Sequence, residues 1–343
     1  MDIKEIVKYL SEYDGKELRL MEVCGTHTAA IRENGIPSLL SDKIKLISGP
    51  GCPVCVTVAS YVDRLCDLAL MPNTCVVTFG DMIRVPGSSK ALQDVKSQGG
   101  RVHMVYSPFE ILSLAENDRD TTFIFAAVGF ETTTPIYAVL LDKIIKENIK
   151  NIKFLTALKT MPSAIDVLCK NGKDIDGFLA PGHVSVITGA DAFKPLAEKH
   201  NLPFVVSGFK GEELLASIYS LVKLQGQGRV LNLYKSAVAD SPNKKAQELV
   251  NKYFMPYDAY WRGIGKIENS GLVLRDEYLN YDAGSRELFE DSIKNRCSCG
   301  DVITGKKAPF DCPLFGKICT PENPKGACMV SGEGACFNYF INK

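Results

Sequence analysis

Apolar residues along the chain fall into short runs of strand length, separated by stretches with helical spacing. Helical periodicity over Ile3 to Tyr13 gives way to the run Leu18-Arg19-Leu20-Met21-Glu22-Val23. Ile44 to Ile47 is a second run, with a helix from about Thr57 to Leu70 beyond it. Cys75 to Phe79 and Val102 to Tyr106 read as the next two strands. Thr122 to Val128, Ile152 to Leu158, Asp176 to Ala180 and Phe204 to Val206 continue the series, with helical segments between them. Strands alternating with helices through short loops predict an α/β fold of doubly wound, parallel sheets. The expected division is two such α/β domains, 1–118 and 119–232, and a smaller C-terminal domain, 233–343. The texture changes from about Leu231: Val238 to Lys252 reads as a helix, and Tyr257 to Gly271 is rich in Tyr and Gly and holds the single tryptophan, Trp261.

Composition narrows the class. In 343 residues, 45% are hydrophobic and 23% charged, the profile of a globular protein with a sizeable core. Forty basic residues balance forty acidic ones, so charge supplies no argument for nucleic-acid or membrane partners. The N-terminus is charged throughout and lacks the apolar core of a signal peptide, and no apolar run reaches the roughly 20 residues of a membrane span. The expected location is the cytoplasm. Twelve cysteines in such a setting point to metal binding or redox chemistry rather than a disulfide framework.

Those cysteines gather in two places. Gly49-Pro50-Gly51-Cys52-Pro53-Val54-Cys55 is a rigid elbow between a predicted strand and helix, which would set Cys52 at a helix N-terminus and favour its thiolate. Cys24 also follows a predicted strand, so Cys24, Cys52 and Cys55 are expected to meet beyond the carboxyl ends of one sheet, as an iron site or an exchanging thiol set. His27 lies one helical turn from Cys24, as base or ligand. Asp81, Glu131 and His183 follow strands beside glycines and are further site candidates, with helix capping or a surface turn as the plainer roles. Cys66, Cys75 and Cys169 read as small core residues. Downstream, Cys297, Cys299, Cys312, Cys319, Cys328 and Cys336 crowd into a short Gly- and Pro-rich segment that needs a metal to organise it. The spacings Cys297-x14-Cys312-x6-Cys319-x16-Cys336 are wider than paired zinc ligands and favour an iron-sulfur cluster, although a swap involving Cys299 or Cys328 stays open. No phosphate loop, GxGxxG, HExxH or GxSxG motif is present.

Cys24-Gly25-Thr26-His27, the elbow from Gly49 to Cys55, Phe79-Gly80-Asp81-Met82-Ile83-Arg84-Val85-Pro86-Gly87, and Cys312-Pro313-Leu314-Phe315-Gly316 with Gly326-Ala327-Cys328-Met329-Val330-Ser331 together make the chain resemble the HypD family of [NiFe]-hydrogenase maturation factors, nearly end to end. The resemblance implies two α/β domains and a third carrying a [4Fe-4S] cluster on Cys297, Cys312, Cys319 and Cys336. It implies a cleft where Cys24, Cys52 and Cys55, with His27 beside them, handle iron destined to become Fe(CN)2CO. It also implies a HypC-type chaperone that shares the iron and a HypE-type protein that supplies cyanide from a cysteine-bound thiocyanate. The chain would act as a monomer within that hetero-complex, a scaffold with redox activity rather than a conventional turnover enzyme. Two rival readings are an iron-sulfur thiol-disulfide oxidoreductase and a zinc-stabilised binding module.

Overall fold

The computed structural model describes residues 2–171, 175–289 and 297–342. Among them eleven strands occur in chain order: β1 Leu18–Glu22, β2 Ile44–Ser48, β3 Thr74–Thr78, β4 Val102–Met104, β5 Thr122–Gly129, β6 Ile152–Lys159, β7 Gly177–Ala180, β8 Phe204–Val206, β9 Val230–Asn232, β10 Phe254–Trp261 and β11 Gly265–Leu274. They build two sheets. The first is wholly parallel, in the order β2-β1-β7-β8-β9. The second has the order β10-β11-β6-β5-β3-β4; β3 to β6 are parallel, and the β10–β11 hairpin adds two antiparallel strands.

Strands covered on both faces must be apolar throughout, with successive side chains entering different cores. β5 shows this directly. Phe123, Phe125 and Ala127 pack towards Tyr137 and Leu141 of the helix Thr134–Lys146, whereas Ile124, Ala126 and Val128 pack towards Tyr61 and Leu65 of the helix Ala59–Leu70. The first sheet is layered in the same way. Leu18 and Leu20 meet Leu214 and Ile218 on one side, and Met21, Phe178 and Phe204 enter a second core on the other.

The α/β expectation holds, but the sheets do not divide the chain at 118. β3 and β4, on the near side of that boundary, join the same sheet as β5 and β6 on the far side, through register pairs such as Thr74 with Thr122. β1 instead pairs with β7, Leu20 opposite Gly177. The chain therefore starts one sheet, builds most of the other, returns to finish the first and ends on the second. Successive β-α units look alike locally, so the choice of sheet is made by long-range packing. The hairpin was also unforeseen. Residues 254–274, expected in the C-terminal domain, extend the second sheet, with Leu272 of β11 opposite Leu158 of β6.

The described C-terminal segment, 297–342, consists of short helices and turns, among them Cys299–Ile303 and Ala335–Ile341. Its buried side chains do not form a core of their own. Cys299, Val302, Cys328 and Met329 share one apolar cluster with Met21 and Phe178 of the first sheet and with Phe130 and Trp261 of the second. No described helix is long and apolar enough to cross a membrane.

Trp261 pins this junction. It is fully buried, stacks on Phe130 at 5.9 Å between centroids, and donates from Nε1 to Ser270 Oγ at 2.8 Å. Trp261→Ala is expected to cost about 3–5 kcal/mol, read by urea denaturation followed by far-UV circular dichroism. An unchanged midpoint would show that the hairpin is not anchored through this ring.

Candidate functional site

The two strands that launch the cleft cysteines are neighbours, with Glu22 at the end of β1 opposite Ser48 at the end of β2. Their loops leave the sheet side by side, and Gly25 N donates to Gly51 O at 3.0 Å. A Cβ on Gly51 would collide with the Cys24 backbone, so only glycine lets the elbow lie against the Cys24 loop. Cys24, Cys52 and Cys55 are all buried at this contact. Asp81 after β3, Glu131 after β5 and His183 after β7 follow the carboxyl ends of their strands, as expected for a site in an open α/β sheet.

The helix-terminal cysteine is Cys24, not Cys52. Cys24 holds the N-cap position of the helix Gly25–Glu33, while the helix after the elbow starts only at Ala59 and residues 53–56 form turns. The prolines and the tight approach to Cys24 keep the elbow from entering a helix at once. Burial nevertheless pushes the Cys24 thiol up to about 12, outweighing the backbone N–H groups of His27 and Thr26 that favour its thiolate. Within the CxxC pair, burial drives Cys52 well above the usual thiol range, and its hydrogen bond to Cys55 adds to this. Burial acts on Cys55 too, but hydrogen bonds from Cys328 and Cys52 outweigh it and bring Cys55 down to about 7. The thiolate-forming member is thus Cys55, the reverse of the sequence expectation.

His27 is fully buried. Its Nε2 lies 3.0 Å from Gly208 O and 3.3 Å from Ser207 O. Carbonyls only accept, so Nε2 carries the proton and Nδ1 presents a lone pair, which is buried and has no partner. Burial lowers the imidazole to about 4, which keeps it neutral and available as a base or soft-metal ligand. Phe209 sits between the two histidines, 4.8 Å from His27 and 4.2 Å from the exposed His183. Asp81 Oδ2 accepts from Ser331 Oγ at 2.9 Å, which ties the β3 loop to the C-terminal segment. Glu131 takes the plainer role: its Oε1 accepts from Met161 N at 2.8 Å and caps the helix Met161–Asn171. Cys66 and Cys75 are buried core residues, and Cys169 packs partly buried against the junction.

Three contributors escaped the sequence reading. Glu333 reaches over the cleft, accepting from Thr26 Oγ1 at 3.0 Å and packing where a Cβ on Gly25 would collide with it. An acid between two glycines inside a cysteine-rich segment was its only signal. Glu22, buried at the end of β1, accepts from Thr28 Oγ1 and from Cys24 N, and burial lifts its carboxyl to about 8. Arg262, at the hairpin tip, donates from Nε to Thr57 O at 2.7 Å, and its charge helps to hold down the Cys299 thiol. The hairpin itself was not legible, so neither was this residue's reach.

All six C-terminal cysteines line one apolar cavity with Val302, Phe315 and Met329. Thiols in an apolar pocket are the donor set that an iron-sulfur cluster requires, so the residues present fit such a group. Among the described residues no three His, Cys, Asp or Glu side chains converge as a single-ion site. Cys299 and Cys328, left over by the spacing argument, touch each other. Their Sγ atoms are 3.2 Å apart, and Cys328 also hydrogen-bonds to Cys55 and Cys336. Hydrogen bonds from Cys297 and Cys328 hold Cys299 well below the usual thiol range, whereas Cys328 is raised by the same contact. A continuous series of thiols, Cys52, Cys55, Cys328 and Cys299, therefore joins the cleft to the cavity.

Paired α/β sheets whose strand ends present a buried CxxC, with a cysteine-lined cavity behind it, define an α/β protein that concentrates buried thiols where its two sheets meet. The family described as HypD, hydrogenase formation hypA family, matches residues 2–343. The chain is 38% identical over 348 residues to hydrogenase maturation factor HypD of Escherichia coli, covering 98% of this chain and 92% of that protein. It is 38% identical over 338 residues to hydrogenase maturation factor HypD of Azotobacter vinelandii, covering 95% and 89%. The chain belongs to the HypD family of hydrogenase maturation factors.

The buried carboxyl of Glu131 makes a titratable prediction. Burial raises it from the ordinary 4.5 to about 7, and its Oε2 has no partner. Between those values the folded protein keeps a proton that the unfolded chain has lost. The stability Glu131 contributes is full below about 4.5 and is lost as pH rises through about 7. Glu131→Gln keeps an oxygen for Met161 N and removes that slope. Relative to the parent, the variant should gain up to about 3 kcal/mol between about pH 5 and about pH 8. Denaturation midpoints that stay parallel across this range would refute it.

Proposed function

We propose that the chain assembles the Fe(CN)2CO centre of [NiFe]-hydrogenases, as a monomer in complex with a HypC-type chaperone and a HypE-type cyanide donor. The observation that carries this reading is the unbroken thiol series from the cleft to the cysteine-lined cavity. Iron is the cargo; Cys24, Cys52 and Cys55 do not converge on one point among the described residues, so these three thiols would have to close on the ion as it binds. The lone pair on His27 Nδ1 stands ready as a further ligand or proton acceptor.

Transfer of cyanide from a thiocyanate breaks the sulfur-carbon bond. The donor leaves as thiolate, cyanide stays on iron, and two electrons are consumed. Oxidation of the Cys52 and Cys55 thiolates to a disulfide supplies both electrons and frees the two sulfurs from the iron, which would stay with Cys24 and the chaperone. Cys328 is in contact with Cys55 and, once it passes its proton to the Cys299 thiolate beside it, can attack that disulfide; Cys299 then resolves the mixed species. The outcome is a renewed dithiol in the cleft and a Cys299–Cys328 disulfide. Cys297, Cys312, Cys319 and Cys336 would hold a [4Fe-4S] cluster, which when bound supplies electrons one at a time.

Two variants test this. Cys52→Ala, purified anaerobically with its chaperone, should lack the infrared bands of iron-bound cyanide and carbon monoxide; bands of normal intensity would remove Cys52 from the mechanism. Cys328→Ser should retain cleft iron yet stop after one stoichiometric thiol oxidation, counted by thiol titration. The same Cys299–Cys328 contact also favours the second reading, an iron-sulfur thiol-disulfide oxidoreductase. That reading requires the isolated chain to reduce a protein disulfide with no chaperone present.

A further inference from the structure

Each disulfide formed in the cleft must be reduced by two electrons that the chain's own thiols only pass along, so electrons have to enter from outside. We propose that the outer face of the loop Lys306–Ile318 docks a small acidic protein carrying a one-electron redox centre. This rests on the reading of the cysteine cavity as an iron-sulfur site.

Four observations converge on that face. Cys312 lies on this stretch and Cys319 directly follows it; both line the cavity and are buried, while exposed residues such as Phe310, Lys317 and Ile318 turn outward. Phe310 is 57% exposed and Ile318 55%, unusually open for apolar side chains on a segment so short. Phe310 also meets Phe315 edge-on at 5.2 Å, and Phe315 lines the cavity, so two rings span from solvent to the thiols. Finally, Gly305 to Cys319 carries Lys306, Lys307 and Lys317 against the single acid Asp311. Lys307 is paired with Asp301 at 2.8 Å, but Lys306 and Lys317 are exposed and make no ion pair among the described residues. Asp311 is engaged by Ala308 N at 2.9 Å.

A chain of zero formal net charge thus places two lysines without an ion pair and bare apolar side chains over its thiol cavity. Such a surface suits a brief encounter: opposite charge steers the approach, and a small apolar contact seats it without holding it. The occupant that complements it is an acidic carrier with its own redox group near its surface. Two successive one-electron deliveries, with uptake of two protons, return the Cys299–Cys328 disulfide to two thiols and leave two oxidised carriers.

The test uses the full chain, purified anaerobically, with a reduced acidic [2Fe-2S] ferredoxin as the probe and a basic cytochrome c of similar size as the charge control. Ferredoxin should bind, the cytochrome should not, and electron transfer from ferredoxin should slow as ionic strength rises. The double variant Lys306→Glu with Lys317→Glu alters only exposed side chains. It should lower the ferredoxin association rate about tenfold at low salt, and the difference should vanish at high salt. Equal rates for the variant and the parent, equal binding of the cytochrome, or self-association of the chain that the double variant abolishes would each overturn the docking surface. Iron and sulfide content, measured on the same samples, separates the two levels. A preparation without iron-sulfur defeats the cavity reading, whereas a loaded, dithionite-reducible protein that is indifferent to ferredoxin defeats the docking proposal alone.

Discussion

Desolvation of thiols at the junction of the two sheets and the C-terminal segment governs the rest of the structure. A lone thiolate in an apolar core is costly, which is why Cys24 and Cys52 are raised above the ordinary range. Where one sulfur hydrogen-bonds to the next, the penalty is shared, and negative charge becomes affordable at Cys55 and Cys299. The position of the proton along the thiols is thus set by packing. The same burial keeps His27 neutral and leaves its unprotonated nitrogen directed into the protein interior.

The architecture brings two separate sources of sulfur together against a hairpin that packs between them. β1 and β2 deliver Cys24 and the CxxC elbow from one sheet, and the β10–β11 hairpin of the other sheet supplies Trp261 and Arg262. The C-terminal segment closes the assembly. Arg32 of the helix that follows Cys24 lies 3.4 Å over the Tyr339 ring, and Ser331 and Glu333 bond across the cleft mouth. None of these units encloses the thiols by itself.

The sequence made the alternation of β1 to β8 with helices readable because most of those strands are short apolar runs flanked by glycine or polar loops. It also made the two groups of cysteines readable, since their spacing is local. What it concealed was non-local. The interleaving of the sheets depends on pairings such as Leu20 with Gly177, and the residues around them carry no mark of their partner. Cys52 looked like the activated thiol because Gly and Pro precede it, whereas the N-cap position belongs to Cys24 and the lowered thiol is Cys55. The connecting role of Cys299 and Cys328 was invisible for the same reason: it exists only once the elbow and the C-terminal segment touch.

The threading of the chain bears on when the protein becomes competent during its synthesis. β3 to β6 are contiguous, so most of the second sheet can form as soon as residue 159 has emerged. The first sheet cannot: β1 and β2 must wait for β7 to arrive before their central partner exists. Until then the loops bearing Cys24 and the CxxC elbow lack their final frame, and the segment bearing Glu333 emerges later still. A nascent chain therefore has no finished thiol cleft until β7 and the segment 297–342 have joined the loops of β1 and β2.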